Sequence, residues 1–282
     1  MRGVCFGILN IASRHGRRYD PTMEFLKVEH LTLSRRRPRR GWLRDGAEEE
    51  TLVEDLSFDL EKRGSLALVA DSREALLALA LAVLKQGPVA SGSIAFAGVS
   101  LSSLDERRFR AMRRRLQAVF PDRSGQLSAG LTVREAFREV LRVWRRRSTR
   151  EEQARLVESV MIACGLPEAV QDLYPAELDA VERQQVALAR ALLPGPELLV
   201  CCGFTEGLDA VQRAELVNRL RHVREEFGLT LLVLTDDLAV AHRLGDDLAV
   251  LHRGRLVESG PAEGIVEHPA HEHTRRLVAC AA

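Results

Sequence analysis

With 282 residues and a formal net charge of +1, the chain has the length for one large α/β domain, and no bulk charge that would draw it to nucleic acid. Hydrophobic residues make up 46% and aromatic residues 5%, the balance of a soluble globular domain, and no apolar run reaches the roughly 18 residues that a membrane span needs. The cysteines Cys5, Cys164, Cys201, Cys202 and Cys280 follow no metal-ligand spacing, so buried apolar thiols in a reducing compartment are expected, with no metal site.

Residues 1–22 hold a short apolar patch from Val4 to Ala12, broken by Asn10 and lacking a cleavage-site pattern. They are expected to be an unstructured extension ahead of one domain over 23–277, with 278–282 as a tail. Phe25 to Leu33 alternates apolar and polar, which predicts an edge strand. Thr51 to Leu60 alternates again, so a hairpin-like β subdomain is expected around SRRRPRRGWLRDGAEEE, read as a solvated charged loop. Ser65 to Ala70 is a continuous apolar run, as in a strand covered on both sides, and Ser72 to Leu84 follows as helix. Asp71 and Glu74 have the spacing of a capping box, in which two side chains satisfy the first free N–H groups of a helix.

Ser91 to Gly98 reads as turn, strand, turn, and Leu104 to Phe120 as helix then strand. A helical insert is expected over about 122–178, with amphipathic helices at Leu131–Trp144 and Thr149–Cys164 and a box at Ser148 and Glu151. Leu131, Val133 and Phe137 are read there as core, with a place on a surface that grips a partner helix as the alternative. Asp179 and Glu182 form another box ahead of a helix over Val181–Leu193, which Pro194, Gly195 and Pro196 stop. Leu198 to Cys202 is a buried strand, so Cys201 and Cys202 point to opposite faces. An amphipathic helix runs from Asp209 to about Phe227, with Gly228 as its stop. Strand Leu229–Leu234, helix Leu238–Leu244 and strands Asp247–His252 and Arg255–Ser259 complete the domain. His268, His271 and His273 in the tail are read as an ordinary surface segment, with metal binding as the alternative.

The stretch YPAELDAVERQQVALARALLPGPELLVCCGFTEGLD, Tyr174 to Asp209, closely resembles the core of ABC-transporter ATP-binding subunits, above all those of oligopeptide and dipeptide importers. Tyr174, Pro175, Glu177, Leu178, Arg183, Gln184, Ala189, Arg190, Ala191, Pro196, Glu197, Leu198, Thr205, Leu208 and Asp209 carry the likeness, which runs collinearly from Met23 to about Leu277. It implies an α/β fold: a phosphate-loop-NTPase-like core with a mostly parallel sheet, an antiparallel β subdomain and a helical insert whose surface, in importers, grips the permease.

The resemblance also implies where nucleotide chemistry would lie, and there the sequence departs from the family. Ala70 and Ala75 fall at the two flanking glycines of the phosphate loop, Leu76 at its Lys and Leu77 at its Ser/Thr. Pro121 replaces the glutamine that coordinates Mg²⁺, and Asp179 falls within the signature. Cys202 and Gly203 replace the acidic pair at the strand end, and Asp236 replaces the γ-phosphate histidine. Asp209 is retained. Ser34 stands near the adenine-stacking aromatic, with Trp42 as a weak substitute and Gln126 as an alternative to the lost glutamine. No cation is expected where the phosphates would be. A carboxylate at Asp179 about 4 Å from a phosphate would cost about 4 kcal/mol at an effective dielectric near 20.

The resulting expectation is a degenerate ATP-binding subunit, or pseudo-ATPase, with no catalytic residues and no cofactor. It would act as scaffold or regulatory partner of a peptide-type importer, dimerised with an active ATPase paralogue or with itself. It would be cytoplasmic and peripheral on the inner face of the cell membrane, touching the membrane only through permease subunits. Under the first alternative, a divergent working ATPase energising oligopeptide or dipeptide import, ATP and Mg²⁺ would be its cofactors. Under the second it is an interaction protein without a membrane partner.

Overall fold

A computed structural model describes residues 24–38, 47–121 and 127–281. The expected extension, Met23, Trp42 and Gln126 lie outside the described residues. Two long strands open the chain, β1 (Glu24–Pro38) and β2 (Ala47–Glu61), followed by β3 (Ser65–Ala70) and helix α1 (Arg73–Val83). Next come β4 (Ser91–Phe96), β5 (Val99–Ser100), α2 (Glu106–Arg113) and β6 (Leu116–Val119). Helices α3 (Val133–Trp144) and α4 (Arg150–Cys164) form the insert. The chain then returns through α5 (Ala180–Leu192), β7 (Leu198–Cys202), α6 (Ala210–Phe227), β8 (Thr230–Thr235) and α7 (Leu238–Leu244). It closes with β9 (Asp247–His252), β10 (Arg255–Pro261), α8 (Ala262–Glu267) and α9 (Glu272–Ala281).

A six-stranded sheet in the order β10-β9-β3-β8-β7-β6 is parallel except at its β10 edge, and a four-stranded antiparallel sheet in the order β2-β1-β4-β5 lies beside it. Every residue of β3, β7 and β8 is buried, as expected of parallel strands covered on both faces. Alternate residues feed two separate cores. Ala67, Val69 and Cys201 pack on the side of α3 to α7, whereas Leu66, Leu68 and Cys202 pack toward the small sheet, α1 and α2. The opposite orientation of Cys201 and Cys202 is therefore as the strand period requires.

Three local expectations need correction. β1 is not an edge strand: it pairs with β2 on one side and with β4 on the other. The described flanks of the charged stretch are strand and not loop: the backbones of Arg35, Arg36 and Arg37 pair in register with those of Glu50, Glu49 and Glu48 across the hairpin. Cross-strand pairs of opposite charge favour the extended ladder. The box ahead of α4 sits one residue later than expected, on Thr149 and Glu152, whose side chain and backbone groups bond reciprocally. Val133 and Phe137 are core residues at 1% exposure each, while Leu131 is half-buried. No helix among the described residues is long and apolar enough to cross a membrane.

Candidate functional site

In an open parallel sheet, ligands bind beyond the carboxyl ends of the strands. Here that edge is formed by Ala70, Val119, Cys202 and Thr235 and the turns that leave them. After β3 the chain turns into helix at once. The Ser72 hydroxyl accepts the Ala75 N–H at 3.2 Å, and the Leu76 N–H donates to the Ser72 carbonyl at 3.1 Å. Ser72, not Asp71, is thus the N-cap of α1. A serine one residue nearer the helix takes the capping place, and Glu74 is drawn away by Arg35, 2.7 Å distant on β1. That hydrogen bond holds the exposed Glu74 carboxyl below its ordinary range. A phosphate loop needs its backbone N–H groups to converge on an anion. Here the first helical turn already fills that stretch, with Ala75 at 2% and Leu76 at 3% exposure, and Leu77 faces outward at 44%.

Contrary to the expectation of no cation, Arg73 stands at this edge. Its Nε donates to Asp236 Oδ2 at 3.0 Å, and its guanidinium also pairs with Glu206. The hydrogen bond to Asp236, then the two carboxylate charges, raise its pKa. One arginine thereby ties the first turn of α1 to the turns that follow β7 and β8.

Two other positions singled out by the resemblance lie side by side. Gly203 turns β7 outward at φ +57°, and its N–H donates to the Leu234 carbonyl at 2.8 Å. A Cβ placed there would lie 3.1 Å from Pro121 Cγ and 3.6 Å from Glu206 Oε2. A glutamate at Gly203 would therefore meet both a left-handed backbone and a proline ring. At Cys202, burial and then the charge of Glu206 push the thiol up to about 12, so at neutral pH it presents a neutral S–H. Gln117, near Pro121, sends its amide back to the Arg113 carbonyl at 2.5 Å. Ser34 is bound to Glu49 at 2.6 Å.

The remaining positions are committed to helix starts. Asp179 caps α5, accepting the Glu182 N–H at 2.8 Å while Glu182 accepts the Asp179 N–H at 2.9 Å, as the sequence predicts. Asp209 caps α6 with two N–H groups, those of Val211 and Gln212, at 2.9 Å each. Asp237 caps α7 and pairs with Arg213. Sequence reasoning missed Arg73 and Glu206. Their signal was a positive charge after β3 and a negative one after each of β7 and β8, readable only once these three strands are known to be neighbours.

No family model matches the chain. It is 30% identical over 257 residues to a probable peptide ABC transporter ATP-binding protein of Sinorhizobium fredii, covering 91% of this chain and 72% of the relative. It is 31% identical over 261 residues to an uncharacterized ABC transporter ATP-binding protein of Escherichia coli, of which it spans 49%. Against a glutathione import ATP-binding protein of E. coli it is 30% identical, covering 95% of this chain and 44% of that protein. Among solved structures, a dimeric bacterial ABC transporter cassette aligns with a TM-score of 0.71 at 19% identity, covering 84% of this chain and 99% of the other. A cassette from Clostridium perfringens, part of an ABC transporter complex, aligns at 0.73 and 19% identity, covering 87% and 92%.

Proposed function

This chain belongs to the ATP-binding proteins of ABC transporters, and on that premise we propose that it is a pseudo-ATPase: a subunit that keeps the cassette fold and has given up nucleotide chemistry. It serves as scaffold or regulatory partner of a peptide-type importer, docked on permease subunits at the inner face of the membrane and paired with an active paralogue or a second copy. The observation that carries this reading is the closed strand-end edge, where Arg73 bridges Glu206 and Asp236 above a helix whose first turn buries Ala75 and Leu76. Phosphoryl transfer needs a lysine and a backbone nest for the phosphates, and carboxylates for metal and water. Leu76, Cys202 and Gly203 supply none of these. Asp179, committed to its own helix, adds negative charge where a partner's γ-phosphate would come to rest.

The test is calorimetric titration of the purified chain with Mg-ATP. No heat is expected at millimolar nucleotide. Micromolar binding, or steady ATP turnover by the chain alone, would overturn the reading in favour of a divergent working ATPase. Failure to co-purify with any permease or ATPase subunit would instead point to an interaction protein without a membrane partner.

A further inference from the structure

Asp71 does not cap α1, so its carboxylate is available for other work. Ala70 and Leu251 are ladder partners in the parallel pair β3–β9, so Asp71 and His252 leave the sheet side by side. Helix α9 lays His273 over them, its ring stacked on that of His252 with centroids 4.0 Å apart. Asp71 Oδ2 lies 3.3 Å from His252 Nδ1 without hydrogen-bond geometry, and neither this buried nitrogen nor the buried Nε2 of His273 has a hydrogen-bond partner among the described residues. Two imidazole nitrogens so placed beside a carboxylate are donor atoms gathered at one point.

We propose that Asp71, His252 and His273 form a binding site for a first-row divalent metal ion of the Zn²⁺ type. Two imidazoles and one carboxylate are a donor set that suits such ions and leaves at least one position to water. One donor atom from each residue lies within 4.8 Å of the others. Ligands about 2.0–2.2 Å from one Zn²⁺ stand no more than about 4 Å apart, so closure requires only that the side chains rotate and the two rings slide out of their stack. Asp71 is 44% and His252 32% exposed, which gives an ion entry from solvent. Nearby His271 is already engaged, its Nδ1 accepting the His273 N–H at 3.1 Å. The tail histidines thus do not form a set among themselves; one of them reaches back to the sheet. A bound ion would lock α9 onto the end of β9 and onto the turn that leads into α1.

The experiment is calorimetric titration of the full-length, metal-free chain with Zn²⁺, with Co²⁺ absorption reporting ligand geometry. One equivalent is expected to bind, with affinity about tenfold or more weaker in each of Asp71→Asn and His273→Gln. It should be unchanged in Cys280→Ser and His268→Gln. Asp71 is a surface residue outside the helix, so Asp71→Asn keeps the test open even where His273→Gln loosens α9; circular dichroism confirms the fold of each variant. The proposal is overturned by a chain that shows no saturable Zn²⁺ binding, or by binding that is the same in Asp71→Asn and His273→Gln as in the parent. Neither result depends on whether ATP binds.

Discussion

The guanidinium of Arg73 and the side chain of Leu76 together decide what the β3–α1 turn can hold. Leu76 points into the core beneath the small sheet, so its replacement does more than delete a charge. Leu76→Lys is expected to destabilise the fold by about 2–4 kcal/mol, because an unpaired ammonium must enter that core. The double variant Ala75→Gly/Leu76→Lys is expected still to bind no Mg-ATP at micromolar concentration, since Ser72 and Arg73 would continue to start the helix early. Urea denaturation and calorimetry read the two outcomes; micromolar affinity in the double variant would mean that the turn is not filled as described. The thiols offer another check. Burial, and at Cys201 the adjacent Cys202, raises the pKa of Cys164, Cys201 and Cys202, whereas Cys280 is exposed. Alkylation at pH 8 in the native state should label Cys280 among these four, with the buried three reacting only in denaturant, as peptide mapping will show.

Helix starts and strand edges show how closely element boundaries follow single side chains. Thr149→Ala is expected to cost about 1 kcal/mol and Ser148→Ala almost nothing, which would place the cap of α4 at the later residue. The reverse order in urea midpoints would restore the earlier register. At the opposite edge of the main sheet, Glu197 accepts from Arg115 Nε at 2.5 Å and pairs with Lys62 at 3.1 Å. It joins the starts of β6 and β7 to the turn after β2. The Arg115 hydrogen bond, opposed by partial burial and aided by Lys62, holds the Glu197 carboxyl below its ordinary range. A carboxyl with a depressed folded pKa stabilises above its unfolded value, and that contribution is lost as pH falls through the folded one. Glu197→Gln should therefore lower stability at pH 7 by about 1 kcal/mol, with the gap to the parent closing as pH drops below about 4. Chemical denaturation at both pH values tests it; a gap that persists in acid would assign Glu197 a role other than charge pairing.

Across the whole molecule, the fold was legible because its signals are periodic and local. The unbroken apolar runs of β3 and β7, the cap at Asp179 and the stop at Gly228 stand where the sequence places them, and β8 lies one residue later than expected. What resisted reading depends on strand order. That β1 lies inside its sheet, that Arg73 faces Glu206 and Asp236, and that His273 meets His252 and Asp71 all require residues far apart in the chain to be neighbours. The expected departures at Leu76, Cys202, Gly203 and Pro121 could be read singly; the nearness of Gly203 to Pro121 could not. At this scale the expected behaviour is a melting temperature indifferent to Mg-ATP. A ligand at about 100 times its Kd adds about 2.7 kcal/mol, which raises the Tm of a domain of this size by roughly 5–10 °C. A rise of that size on adding millimolar Mg-ATP would refute the expectation.

The bridge formed by Arg73 has one more consequence. A cassette whose strand ends were held together by a bound nucleotide would change with the supply of that nucleotide. In this chain both signs of charge at the strand ends are encoded in the gene. On the proposed reading it presents the same face to its partners in starved and well-fed cells alike, a fixed reference against which a nucleotide-driven partner can move.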